Sequence, residues 1–131
     1  MRAERYLLGV CLLGGVLLTF IGVRGLLLPE QAARTFGLPA HPAGHELHTI
    51  IGLRNAWLGL LAIGFAALRQ WRALALWFAL GALVCFADAM IVVGARGPLP
   101  AFAFHVGCGL CCLALLPAVW RRAWAVDGPA P

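Results

Sequence analysis

A few side chains in this sequence sit where polar chemistry is costly. Gly52-Leu53-Arg54-Asn55 places a guanidinium and an amide inside a run of apolar residues from about Glu46 to Leu68. A charge at that depth in a bilayer costs several kcal/mol unless it is paired or wetted, so another segment must supply a partner. Asp88 in the third apolar run and His105 in the fourth are the natural complements. A carboxylate near a guanidinium can serve as general acid or base, its ionisation set by desolvation against the neighbouring positive charge. His105 would be the second proton-transfer group. Arg54 and Asn55 would hold a polar head or a developing anion, with Arg24 and His48 assisting in binding.

Other chemistries fit less well. His105, Cys108 and Cys112 share roughly one helical face, but one helix cannot easily wrap a tetrahedral ion, so no metal is expected. No cofactor is expected either: there is no phosphate-binding loop, nucleophile elbow, zinc-protease motif or dinucleotide fingerprint. His41, His45 and His48 crowd one loop and the helix start after it, and are better placed to titrate at an interface than to bind haem. The five cysteines lie within apolar runs and are expected to pack, not to form a disulfide framework.

Composition identifies the medium in which this chemistry would occur. Of 131 residues, 63% are hydrophobic and 11% charged, where a soluble domain carries about a quarter charged residues. The expected partner is therefore a lipid bilayer. The net charge of +5 comes with ten basic residues, all arginine, which flank apolar runs and form no stripe interleaved with aromatics. That pattern suits anionic headgroups and argues against nucleic acid.

Four apolar runs, about 6–28, 46–68, 73–94 and 101–120, each match a hydrocarbon core of about 30 Å. They lack the alternation of membrane strands. The expected fold is all-α: one domain over residues 1–131, a four-transmembrane-helix bundle with a short interfacial helix between the first two spans. Pro29 at the first turn and Gly37 after the last bound that short helix. Leu38 to Gly44 reads as a turn-rich link, Arg96 to Pro100 as a tight turn, and Asp127 to Pro131 as a frayed tail. The first run is too long for a signal peptide and has no cleavage pattern, so it is expected to stay as a helix.

Arginines set the orientation. Arg2, Arg5, Arg69, Arg72, Arg121 and Arg122 fall on one side, against Arg34 and Arg96 on the other. This bias predicts a multi-pass cell-membrane protein with both termini cytoplasmic. Trp71, Trp120 and Trp124 are expected at the inner headgroup level. Arg24, Arg54, Asn55, Asp88 and His105 then share one layer in the outer half, with Arg54 about 12 Å and Asp88 about 9 Å in from their helix ends. On the second span, His48, Gly52, Asn55 and Gly59 form a polar and small-residue stripe that should face other helices.

Gly52-Leu53-Arg54-Asn55, Ala87-Asp88-Ala89-Met90-Ile91-Val92 and Phe104-His105-Val106-Gly107 resemble the three marks of a small integral-membrane family, domain of unknown function 4267. The resemblance covers about Pro29 to Trp120. It implies four membrane helices and gives weight to Arg54, Asp88 and His105, and it brings no established reaction. The position of Asn55 is often acidic in that family; asparagine here leaves a scheme with two carboxylates short of one.

Three functional readings follow. The leading one is a membrane enzyme, an isomerase, cyclase or hydrolase, acting on an amphiphilic small molecule in an outward-facing pocket. The second is a transporter-like or binding subunit working as a homo-oligomer, a dimer, in which Asp88 is a proton-coupled site. The third is a non-catalytic assembly protein in which Arg54 and Asp88 only fix helix register.

Overall fold

The computed structural model describes residues 2–38 and 45–125. Its helices are α1 (Arg2–Leu27), α2 (Pro29–Phe36), α3 (His45–Ala67), α4 (Trp71–Gly94) and α5 (Leu99–Ala125), with no strand among the described residues. The four long helices are each long and apolar enough to cross a membrane. The link after Leu38, including His41, the tail from Asp127 and the side chain of His45 lie outside the described residues. The helix α5 continues through Pro117 and runs five residues past the end set by hydropathy, over Arg121-Arg122 to Ala125. Apolar content marks where lipid stops, and a helix can continue into the headgroup region beyond it.

The long helices form two close pairs, α1 with α3 and α4 with α5, while α3 and α4 approach one another at few points. Lipid tails are as apolar as leucine, so helices associate in a membrane through backbone proximity and dispersion, which small residues permit. Gly22 of α1 is pressed so closely on α3 that a Cβ there would lie 2.6 Å from Ala56 Cα and 2.7 Å from Gly52 O. A Cβ on Gly52 would in turn lie 2.8 Å from the Gly25 carbonyl carbon. Thus Gly52 and Gly59 of the stripe expected to face another helix do so, and their partner is α1. In the second pair, Gly109 of α5 takes the ring of Phe86.

Two devices hold the pairs together. At the arginine-rich end an apolar cluster includes Cys11, Ala66, Trp71, Leu74, Phe78 and Val119, drawn from all four long helices. Trp71 is therefore a core residue, 6% exposed, and not a headgroup anchor; Trp120 and Trp124 remain exposed and pack on each other. At the same end Glu4 lies 3.6 Å from both Arg69 and Arg122. At the opposite end α2 lies across the pairs. Pro29 starts it, and Gly37 ends it in the left-handed conformation, φ 96°. Any Cβ on Gly37 would meet Ala101 and Val92, so glycine serves both the turn and the docking of α2 onto α4 and α5.

Arginine occupies that left-handed position at the ends of α3 and α4, with φ 53° at both Arg69 and Arg96. The geometry closes the helices well: the N–H of Gln70 donates to Phe65 O and that of Gly97 to Val92 O, each at 2.8 Å. A residue with a Cβ loses about 1–2 kcal/mol in this conformation. Arg96→Gly is expected to raise stability by about 1 kcal/mol, measured by thermal unfolding in detergent. No gain would show that the turn is not strained.

Candidate functional site

Arg54 and Asp88 meet across the sparse seam between the two pairs. Arg54 Nη2 donates to Asp88 Oδ2 at 3.4 Å. This is a single long contact where a close charge-assisted bond would be about 2.7–2.9 Å. The carboxylate is the more enclosed partner, its side chain 13% exposed against 38% for the arginine. Arg54 Nε is buried and has no hydrogen-bond partner among the described residues. A guanidinium carries five N–H donors, and leaving one buried and unbonded costs about 1–3 kcal/mol. The pair thus has spare donor capacity beside a shielded acid, a combination that would accept one further oxygen. Asn55, the next residue along α3, is half-buried.

His105 lies under the end of α2, 8% exposed. Its Nε2 is 3.4 Å from the carbonyl oxygen of Phe36, and the two rings pack with centroids 4.4 Å apart at a tilt of 55°. The last carbonyls of a helix have no partner within it, so Phe36 O is free to receive this bond. A carbonyl only accepts, so the contact requires the proton on Nε2 and leaves Nδ1 of a neutral ring as its basic position.

Arg24 reaches the same short helix from α1. Its Nη1 donates to Thr35 Oγ1 at 3.1 Å, and that hydroxyl donates to Gln31 O at 2.8 Å. His48 is buried, with its backbone carbonyl near Gly25 in the α1–α3 seam. The structure therefore brings Arg54 to Asp88, attaches Arg24 and His105 to α2, and sets His48 between α1 and α3. Sequence reasoning missed Thr35 and Phe36. Proline and glycine bounding α2 could have pointed to its unpaired terminal carbonyls, but nothing in the sequence aims His105 at one of them.

Two grooves lie away from the ion pair. One, of about 320 Å³, is bordered by Arg34, Gly37, Arg96 and Gly97 at the α2 end. The other, between the first turns of α1 and the last turns of α5, is taken up below. Asp88 and Arg54 line neither. Among the described residues no three histidine, cysteine, aspartate or glutamate side chains gather as a metal site.

Four long apolar helices, a short crossing helix and polar groups placed within the spans define a small multi-pass membrane protein. The chain belongs to the family described as domain of unknown function DUF4267, which matches residues 15–119. That match takes in Arg24 and much of α1 as well as the three marks quoted above. No curated protein and no solved structure matches the chain.

Proposed function

We propose that the seam holding Arg54 and Asp88 is a binding site, and by acid/base chemistry a reaction site, for an amphiphilic small molecule that enters from the bilayer. The buried Nε of Arg54, unbonded among the described residues, carries this reading, because it offers a donor beside Asp88 that a ligand oxygen would satisfy. Asp88 would transfer the proton, Arg54 and Asn55 would hold the polar head, and His105 would be the second proton-transfer group. In this reading His105 reaches the substrate when its Phe36 contact is exchanged. Arg24 and His48 would support the binding region from α1 and α3. The arginine-rich end would face the cytoplasm, with both termini there, and the site would lie in the outer half of the cell membrane.

A second reading has specific support. The Arg54–Asp88 contact is already made, as expected of a register lock between helix pairs. The discriminating experiment is mass spectrometry of small molecules that co-purify with the protein in mild detergent. The proposal expects an amphiphile enriched in wild type and lost in Asp88→Asn, with helix content and elution profile unchanged. Wild type and variant carrying the same small molecules in the same amounts would favour the lock.

A further inference from the structure

We infer that the cleft between α1 and α5 at the arginine-rich end binds an anionic phospholipid from the adjoining leaflet. This rests on nothing in the Arg54–Asp88 layer. The cleft holds about 670 Å³ and combines apolar walls from Leu7, Val10 and Ala118 with a rim of Tyr6, Arg121 and Arg122. Beside it, Cys11, Val119 and Ala123 are buried in the apolar cluster. An acyl chain matches the walls, and a headgroup phosphate matches the rim.

Charge decides the class of occupant. Glu4 is a single carboxylate placed 3.6 Å from both Arg69 and Arg122, so those three residues together keep a net positive charge. Arg121 is exposed and has no carboxylate partner among the described residues. Arg2 and Arg5 add further positive charge on the first turn of α1. A phosphodiester supplies the anion this rim lacks, and its oxygens suit the planar fork of a guanidinium. A choline headgroup would bring its own cation to a rim already in excess of positive charge, so the site favours headgroups with net negative charge.

General attraction of anionic lipid to a basic protein end would depend on charge alone, whereas a site also depends on the shape of the cleft. The test uses protein in bilayers of mixed phosphatidylcholine and phosphatidylglycerol, with native mass spectrometry reading which lipid stays bound. Wild type is expected to retain phosphatidylglycerol preferentially. Arg121→Gln should lower that preference about fivefold, the worth of one basic residue near a charged surface. Ala118→Phe, which fills the cleft with every charge in place, should lower it at least as much, while Arg34→Gln with Arg96→Gln at the other end should leave it unchanged. Elution profile and helix content confirm that each variant is folded, and neither Arg121→Gln nor Ala118→Phe touches the Glu4 bridge. Wild type without preference, or Ala118→Phe with full preference, overturns the assignment.

Discussion

Gly22→Leu is expected to separate α1 from α3 and leave no monodisperse folded protein in detergent. Neighbouring side chains cannot relieve the clash, because the atoms that a Cβ at position 22 would meet are the backbone of Ala56 and Gly52. Extra methylenes in a packed core cost about 1–3 kcal/mol when side chains can yield, and more when the obstacle is main chain. The far side of the contact is equally tight, since Gly52 meets Gly25 and Leu26 backbone and Gly59 meets Thr19 and Gly15. Separation would also remove the burial of His48. The control is Gly9→Leu on the same helix, where a Cβ has open space within 4 Å. Size-exclusion elution and thermal unfolding should be near wild type for Gly9→Leu and lost for Gly22→Leu. Individual helices can persist in lipid without partners, so circular dichroism should fall less than the elution peak. A well-behaved Gly22→Leu protein would mean that α1 and α3 do not pack as described.

The second large effect is expected at the ion pair, and it is asymmetric. Arg54→Met leaves the carboxylate of Asp88 without its cation in the more enclosed position. Removing one partner of a fully buried pair costs about 3–5 kcal/mol; the part-buried Arg54–Asp88 contact should lose less than that. Asp88→Leu should cost less, because the Arg54 side chain is 38% exposed and can extend toward polar surroundings. The double variant Arg54→Met/Asp88→Leu should recover most of the stability, since an apolar pair of similar volume replaces a buried ion pair nearly without loss. A thermodynamic cycle over the four proteins measures this coupling. The proposed binding role expects the double variant to be stable yet empty of the co-purifying amphiphile. Costs that simply add would show that the two charges are not coupled. A stable double variant that keeps the ligand would leave the pair a purely structural role.

The spans were legible because lipid imposes one simple requirement, a long apolar run, and the limits of α3 and α4 fall within two residues of those hydropathy predicts. The limits of α2 were legible for a local reason: Pro29 and Gly37 each act on their own backbone. The pairing of helices was less legible. A short connection favours α3 and α4 as neighbours, yet α3 gives its small-residue face to α1 and meets α4 more sparsely. Gly15, Gly22 and Gly25 are the matching half of that face, but sequence alone does not say which of several glycine-bearing helices will meet. The site was readable in part. Arg54 and Asp88 announce each other because each charge needs a partner in lipid. His105 has a neutral alternative, a helix-terminal carbonyl, and its partner is fixed by where α2 docks.

The pairing of α1 with α3 bears on how the chain is assembled during synthesis. Translation delivers α1 to the bilayer before α3, so its glycine face stays unmatched until α3 has followed. The later helices α4 and α5 arrive as adjoining segments separated by a tight turn, and can close on each other at once. A nascent chain halted after α3 should already hold its first pair, whereas one halted before it exposes a face with nothing to meet. Membrane quality control would therefore find its target in the interval between the first and third helices.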